Sequence, residues 1–423
     1  MGDYMKFYVE TLGCKVNSYE SEYIKEEFIN NNYIESTIED ADVIVVNTCT
    51  VTNQADSKSR KMVRHARKVN SNAILVVVGC MVEYHKGDLS DIDADIIIGN
   101  KDKSRIISLV NDYKNNRTNI TKLYDLRSVE FEDMSISNFE GHTRGFVKIQ
   151  DGCNNFCSYC VIPFTRGNIR SKDINVAYDE VKCLVESGYQ EIVLTGIHTG
   201  SYGDGEDFNL TTLIKKISTI EGLKRIRISS IEITELDEEF MGELKINNKI
   251  VSHFHVPIQS GSDYVLKLMN RKYNIEEYKK MIEKIRSIRN DANITTDLVV
   301  GFPEETDEDF NTTLENLKSI GFSKIHTFPF SKREGTKAAT MKQVNDTVKR
   351  VRCDTVLALS DSQENRFYES YLGKTVEVLS ENGNEGFTDN YIKVHFNEYV
   401  EPNTFVNVKI TRVDGKNVYG DII

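Results

Sequence analysis

No stretch of this chain is apolar enough to cross a membrane as a helix. The longest apolar run, 73–82, contains a glycine and is about half the ~20 residues a spanning helix needs, so it reads as a buried strand. The first residues, Met1-Gly2-Asp3-Tyr4-Met5-Lys6, lead into a strand pattern with no secretory hydrophobic region. Low-complexity tracts and internal repeats are missing too. Positive charge is in short supply: 53 Lys and Arg stand against 65 Asp and Glu, a net charge of −12. That excludes a protein that holds nucleic acid by its overall charge, so any RNA partner must meet a local basic patch. The expectation is a cytoplasmic monomer with no membrane partner. A reducing compartment disfavours disulfides, so the 8 cysteines read as metal ligands or catalytic groups.

What is present is ordered in blocks. A length of 423 residues suggests about three domains at ~150 residues each. In 1–125, short β-branched apolar runs fall at 6–10, 42–47, 73–78 and 95–98. Continuous apolar runs suit parallel strands covered on both faces. Helical patterns occupy 17–30 and 53–69. In the first, Asn17 and Glu20 have capping-box spacing, and Tyr19, Tyr23, Ile24 and Phe28 form one stripe. The reading is an open, flavodoxin-like α/β sheet. Cys14, Cys49 and Cys80 each follow one of its first three strands. Ligands bind at the carboxyl edge of such sheets, so the three thiols are expected to converge and to suit an iron–sulfur cluster.

Residues 126–143 are polar and acidic and read as a linker. Six strand-like runs then recur, at 144–149, 191–194, 225–229, 251–256, 294–300 and 324–328. Helical patterns at 175–187, 210–220, 262–269, 275–288 and 307–320 fill the gaps. Six such units are two short of a closed (β/α)8 barrel, which predicts a partial (β/α)6 barrel over 144–365 with its chemistry at the carboxyl mouth. A last helix is expected at 346–367. The tail, 366–423, switches to short alternating strands at 375–379, 386–396, 404–412 and 417–419, the pattern of a small OB-like β-barrel.

The first barrel strand runs into Asp151-Gly152-Cys153-Asn154-Asn155-Phe156-Cys157-Ser158-Tyr159-Cys160. A cuboidal iron–sulfur cluster takes four thiolates, so a loop offering three leaves one iron open to a small molecule. Cys183 and Cys353 lie in helical patterns and read as small packing residues. His198, between Gly196 and Gly200 at a strand end, is a candidate site residue or a plain loop histidine.

Cys153-x3-Cys157-x2-Cys160, with Tyr159 before the last cysteine, resembles the radical S-adenosylmethionine signature. Thr11-Leu12-Gly13-Cys14-Lys15-Val16-Asn17, Asn47-Thr48-Cys49-Thr50-Val51-Thr52 and Gly79-Cys80 are similar to the amino-terminal domain of the methylthiotransferases. Gly386-Phe387-Thr388-Asp389-Asn390-Tyr391 resembles their RNA-binding TRAM domain. The resemblance spans essentially the whole chain. It implies that C–H becomes C–S–CH3, with one S-adenosylmethionine supplying a 5′-deoxyadenosyl radical and another the methyl group. It implies two 4Fe–4S clusters, one on Cys153, Cys157 and Cys160 and an auxiliary one on Cys14, Cys49 and Cys80.

The same resemblance implies S-adenosylmethionine contacts at Tyr159, Thr195, Gly196, Ser229, Ser230, Glu232, Gln259, Asp297 and Gly301. The surroundings of Cys14 and Cys49 look like the branch acting on N6-threonylcarbamoyladenosine at tRNA position 37. Isopentenyladenosine or a ribosomal-protein aspartate are the alternative targets, and a non-catalytic iron–sulfur or zinc RNA-binding protein is the alternative class. Partners implied are tRNA, met at its anticodon loop, and an electron donor such as flavodoxin or ferredoxin. The sequence departs from the family at Asn168, Lys172, Ile233 and Glu304. For tRNA phosphates, Arg60, Arg64, Arg67 and Lys68 share a helix face at i, i+4, i+7 and i+8. Lys374, Lys393 and Arg412 are the candidates in the terminal barrel.

Overall fold

The computed structural model describes residues 4–138 and 143–423. Its amino-terminal unit is β1 (Lys6–Thr11), α1 (Lys15–Asn30), β2 (Ile34–Glu35), β3 (Val43–Thr48), α2 (Asn53–Val69), β4 (Ile74–Gly79), α3 (Cys80–Tyr84), β5 (Ile96–Ile98), α4 (Ile106–Asn116) and β6 (Ile120–Lys122). All six strands are parallel, in the order β2-β1-β3-β4-β5-β6. The unbroken apolar runs have a simple cause. Val43 and Val45 of β3 pack with Phe28 and Leu109 on one face, whereas Ile44 and Val46 pack with Val63 and Ala66 on the other. A strand buried on both sides has no polar face to show.

One expected feature is overturned. Asn17 and Glu20 form no capping box, because α1 begins at Lys15 with Cys14 in the N-cap position. Both side chains are buried and spent on tertiary contacts instead. The two edge strands β2 and β6, of two and three residues, are too short to leave a periodic signal. The polar segment after β6 contains no helix or strand through residue 138, yet it buries Leu126, Met134 and Ile136. Its remaining residues, 139–142, lie outside the described ones, as do 1–3.

The central unit follows. Its elements are β7 (Arg144–Lys148), β8 (Gln150–Asp151), α5 (Ile162–Thr165), β9 (Arg170–Ser171), α6 (Ile174–Glu186), β10 (Glu191–Thr195), α7 (Leu210–Ile217), β11 (Arg225–Ile228), α8 (Glu238–Ile246), β12 (His253–His255), α9 (Asp263–Leu268), α10 (Ile275–Ile288), β13 (Asn293–Val300), α11 (Asp307–Ile320), β14 (Lys324–Pro329) and α12 (Asp346–Glu369). Two parallel three-stranded sheets, β11-β10-β7 and β12-β13-β14, join through a parallel bridge between Ile226 and Ile250. The result is the open six-stranded barrel that the strand–helix repeats predict. Cys183 of α6 is exposed rather than buried, and Cys353 of α12 is half-buried. The buried stripe of α6 runs through Ala177, Val181 and Leu184, which leaves Cys183 on the outside.

The tail is a closed barrel, β15 (Thr375–Ser380), β16 (Glu385–Thr388), β17 (Lys393–Phe396), β18 (Phe405–Asp414) and β19 (Asn417–Ile422), in the order β15-β16-β17-β19-β18. The single run expected at 386–396 is two strands. Thr388 takes a hydrogen bond from the Ile392 amide (2.8 Å), and Tyr391 sits at φ 68°, so the chain reverses between them. This barrel docks on the amino-terminal ends of the central strands. Asn293 donates to the Asn390 carbonyl (2.7 Å), and Arg225 donates to the carbonyls of Phe387 (3.1 Å) and Glu377 (3.0 Å).

Candidate active site

The strand order brings the first three cysteines together. Cys14 follows β1, Cys49 follows β3 and Cys80 opens α3 after β4, and these three strands are neighbours. Two glycines permit the close approach. Gly13 has φ +131°, and a Cβ there would lie 3.1 Å from Cys49 Cβ. Gly79 has φ +102°, and a Cβ there would lie 2.7 Å from the Thr48 carbonyl oxygen. Both positions need a bare backbone. Asn17 stitches the loops by donating to the carbonyls of Leu12 (2.8 Å) and Thr48 (3.0 Å). Asn100 donates to Cys80 Sγ (3.3 Å) and to the Thr165 carbonyl in the barrel domain (2.7 Å).

Under these loops lies a buried ion cluster that joins the two domains. Arg166 is fully buried and reaches Glu20 (2.9 Å), Asp151 (3.0 Å) and Asn17 Oδ1 (2.6 Å). Lys148 bridges Glu20 (2.7 Å) and Asp151 (2.8 Å), Lys103 pairs with Glu20, and Arg170 approaches Asp151 (3.5 Å). Burial favours the neutral form of Glu20, but Arg166, Lys103 and Lys148 outweigh it and hold the carboxyl well below its usual range. Four cations against two carboxylates leave positive charge beneath Cys14 and Cys80. Such charge favours thiolates. Apart from Asn17, Glu20 and Asp151, none of these side chains drew notice in the sequence, because a buried charge has no periodic signature.

The second cysteine set lies in one loop. Its turn is set by Cys160 N–H donating to the Cys157 carbonyl (3.0 Å). Ser158 N–H donates to the Met269 carbonyl (3.0 Å), which pins the loop to the end of α9. Arg271 donates to Cys157 Sγ (3.2 Å) and pairs with Glu232 (2.9 Å). Burial pushes Cys153 up to about 11 and Cys160 to about 12, and it pushes Cys49 of the first set to about 11. Cys14 and Cys157 are raised by burial as well, opposed by Arg166 and Arg271. Iron binds the thiolate form, so loading a cluster on these cysteines releases protons. Among the described residues, no group of three His, Cys, Asp or Glu has the geometry to hold a single metal ion. Three thiols with nearby N–H and cationic donors fit a thiolate-held cluster, whose ligands sit on separate irons.

Beside Cys14 of the first set opens a cavity of about 1050 Å3. Cys14 and Lys15 line it on one side, and the barrel strand ends Thr195, Gly196, Ser229, Ser230, Glu232, Gln259 and Asp297 line the other. Two of the expected S-adenosylmethionine contacts fall elsewhere. Tyr159 packs its ring edge-on to Phe302, with centroids 6.1 Å apart, and Gly301 is buried against Lys349. The aromatic residue before the last cysteine anchors the loop to an apolar cluster rather than facing the cavity. His198 does face it. Its Nε2 lies 2.7 Å from Glu235, 3.7 Å from Glu232 and 3.2 Å from Asn155. Burial lowers its pKa, but hydrogen bonds and charge from Glu232 and Glu235 prevail and raise it to about 9.

The cavity continues down the barrel to His253, His255, His326 and the tail's Phe387, Tyr391 and Lys393. Phe387 and Tyr391 stack on each other (centroids 4.7 Å apart), and Tyr391 stacks on His253 (5.0 Å). The motif that resembles an RNA-binding segment thus floors the barrel. Sequence reasoning missed Lys15, Arg227, Arg271 and His253. The roles of Arg227 and His253 depend on which way a strand residue faces, and those of Lys15 at the start of α1 and Arg271 after α9 depend on which elements pack beside them.

The basic face of α2 is only partly free. Arg60 pairs with Asp56 (3.2 Å) and Asp91, and Arg67 pairs with Asp95 (2.9 Å) and Asp93 (3.5 Å). The expectation that all four cations offer themselves to phosphate is corrected: acids from the 91–95 loop neutralise two. Arg64 and Lys68 are exposed, with no partner among the described residues. In the tail, Lys374 lies over the Tyr371 ring (4.5 Å), Arg412 over Tyr419 (4.0 Å), and Lys393 pairs with Glu385 (2.8 Å).

Comparison with known proteins agrees with this geometry. The Radical SAM superfamily model matches residues 147–317, and that of Uncharacterized protein family UPF0004 matches residues 6–99. Threonylcarbamoyladenosine tRNA methylthiotransferase MtaB of Bacillus subtilis is 41% identical over 91% of this chain and 89% of its own. The Aquifex aeolicus protein of that name is 38% identical over 96% of this chain and 100% of its own. The tRNA-2-methylthio-N(6)-dimethylallyladenosine synthase of Clostridium novyi is 34% identical over 99% of this chain and 96% of its own. Among solved structures, the radical S-adenosylmethionine methyltransferase TsrM of Kitasatospora setae shares the fold, with a TM-score of 0.59 at 12% identity over 79% of this chain and 77% of that one. Fold and cysteine loop define a radical S-adenosylmethionine enzyme, which implies a 4Fe–4S cluster and S-adenosylmethionine. The chain belongs to the radical S-adenosylmethionine tRNA methylthiotransferase family, so it is an enzyme with a tRNA substrate. No helix among the described residues is long and apolar enough to cross a membrane.

Proposed function

We propose that this enzyme methylthiolates N6-threonylcarbamoyladenosine at position 37 of tRNA, replacing a C–H bond of the adenine by C–S–CH3. The observation that carries the reading is the shared cavity: Cys14 of one thiol set and the strand-end residues beside the other face the same space. Its lower part sets the polar groups of His253, His255, Thr295 and His326 beside the stacked rings of Phe387 and Tyr391, which offers a carboxylate-bearing substituent hydrogen-bond partners that a prenyl chain would leave unmet. The two MtaB relatives above carry that substrate in their names.

In this reading Cys153, Cys157 and Cys160 would hold a cluster able to supply an electron to S-adenosylmethionine, and Cys14, Cys49 and Cys80 would hold a second able to supply sulfur. Flavodoxin or ferredoxin is the electron donor. Thr195, Gly196, Ser229, Ser230, Glu232, Gln259 and Asp297 orient S-adenosylmethionine at the strand ends, where the barrel walls exclude water from the radical. Arg64 and Lys68 meet tRNA phosphates. The target adenine leaves its stack to enter, which costs a few kcal/mol and less in a loop than in a duplex.

The test is expression in a bacterial strain that lacks its own methylthiotransferases, with mass spectrometry of its tRNA nucleosides. A new 2-methylthio-threonylcarbamoyladenosine peak is expected. A 2-methylthio-isopentenyladenosine peak in its place overturns the substrate. Iron analysis after anaerobic reconstitution is expected to give about eight irons per chain, four for each cuboidal cluster.

A further inference from the structure

We propose that Lys15 and Arg227 grip the carboxylate of the target nucleoside's N6 substituent inside the barrel lumen, and so set the enzyme's preference for an acidic side chain. The inference rests on the substrate reading given above and names the residues that enforce it.

Unpaired charge distinguishes these two residues. Three carboxylates line the cavity, and each already has a basic partner. Glu232 pairs with Arg271 (2.9 Å), Asp297 with His255 (3.3 Å) and Glu364 with Lys324 (2.7 Å). Of the cavity-lining lysines, Lys324 and Lys393 are paired in the same way, to Glu364 and Glu385. Lys15 alone among them has neither an ion pair nor a hydrogen bond to any described residue, although it sits next to Cys14 and lines the cavity. Among the described residues, Lys15 is thus the cavity-lining lysine with no anion to pair with.

Arg227 supplies the second, independent observation. It is 2% exposed, its Nε donates to Glu191 (2.7 Å), and its Nη1 and Nη2 have no hydrogen-bond partner. Its guanidinium lies over the Tyr391 ring at 4.7 Å, and Tyr391 in turn stacks on His253, which lines the cavity. Buried donors left unmade are costly, and most such groups in a folded protein wait on water or a ligand. A guanidinium fork with two free N–H groups matches a carboxylate, and a lysine opposite adds a point charge. His253 is the neighbour the two share: it lines the cavity with Lys15 and stacks on the Tyr391 ring that carries Arg227. An isopentenyl group offers these donors nothing.

The methionyl carboxylate of S-adenosylmethionine is the other source of the same chemistry, so the experiment separates the two. The reconstituted full-length enzyme is given anticodon stem-loop RNA carrying either the threonylcarbamoyl group or its methyl ester. The wild-type KM is expected to favour the acid by about tenfold or more, the size of one charge-assisted hydrogen bond. Lys15→Met raises the KM for the acid about tenfold and leaves the ester unchanged, while Lys15→Arg keeps the preference. Arg227→Lys, which retains a cation for Glu191, weakens the acid in the same selective way.

Equal losses for acid and ester overturn the inference, as does a raised Kd for S-adenosylmethionine measured without RNA. A wild-type enzyme that acts on isopentenyl RNA and on neither threonylcarbamoyl RNA overturns the substrate reading itself.

Discussion

The two cysteine sets of this enzyme are assembled in opposite ways. Cys153, Cys157 and Cys160 come from one loop whose turn is closed by its own backbone and pinned by α9. Cys14, Cys49 and Cys80 come from three loops that meet only because β1, β3 and β4 are adjacent in the sheet. The first set needs local geometry, while the second needs the whole domain. The difference teaches where each is vulnerable: the loop at its anchors, the convergent set at the buried ions beneath it. Cys14 of the convergent set lines the cavity directly, whereas the loop set reaches it through Arg271, which holds Cys157 and the cavity-lining Glu232.

The sharpest way to break the comparison is to remove one thiol from each side. Cys157→Ser is expected to abolish both cleavage of S-adenosylmethionine to 5′-deoxyadenosine and methylthiolation. Cys80→Ser is expected to abolish methylthiolation while 5′-deoxyadenosine still forms. Chromatography of the small-molecule product beside nucleoside mass spectrometry separates the outcomes. Loss of 5′-deoxyadenosine in both variants would mean that the sets act as one unit.

The next effect bears on the convergent set alone. Arg166→Met strands Glu20 and Asp151 in the interior with fewer partners, a change worth about 3–5 kcal/mol when a buried pair is broken. Thermal melts should drop accordingly, and iron bound by a Cys153→Ser, Cys157→Ser, Cys160→Ser background should fall further on adding the substitution. An unchanged melting temperature would deny the cluster its role in joining the domains.

His198 offers a smaller, pH-dependent test on the loop side, since it ties Asn155 to Glu232 and Glu235. Its pKa is about 9 in the folded chain against an ordinary 6.5, so the protonated imidazole contributes stability fully below pH 6.5. That contribution fades as pH rises from 6.5 through 9. At most about 3 kcal/mol is at stake, and His198→Gln should flatten this part of the stability profile. Parallel profiles for variant and wild type would refute the assignment.

The smallest effect tests the free half of the α2 patch, which lies on the convergent side. Arg64→Glu with Lys68→Glu should weaken tRNA binding several-fold and lower the salt slope by about two contacts' worth, ~0.7–0.9 each. Arg60→Ala, whose guanidinium already serves Asp56 and Asp91, should leave the slope alone. A slope that responds equally to all three would mean that the ion pairs open for RNA.

Much of this was legible in advance. The continuous apolar strands of the first domain and the strand–helix repeats of the second specify parallel sheets, since a strand covered on both faces must be apolar throughout. The helix at 53–69 follows from its amphipathic pattern, and α2 has those bounds. The single run at 386–396 misled because its turn uses Asn390 and Tyr391 rather than glycine, with Asn390 buried against Asp291. Asn17 and Glu20 misled for a related reason: capping spacing in a sequence does not tell a terminal side chain from one turned inward to ions.

Local spacing alone determined the three-cysteine loop, the number of barrel strands and the flavodoxin-like sheet, because each rests on contacts between near neighbours in sequence or on a periodic burial pattern. Tertiary structure alone decided which cations are free. Arg60 and Arg67 look like Arg64 and Lys68 until the 91–95 loop folds against them, and Lys15 looks like any other exposed lysine until the fold sets it on the cavity wall. Charge is read by what stands opposite, and what stands opposite is set by long-range packing.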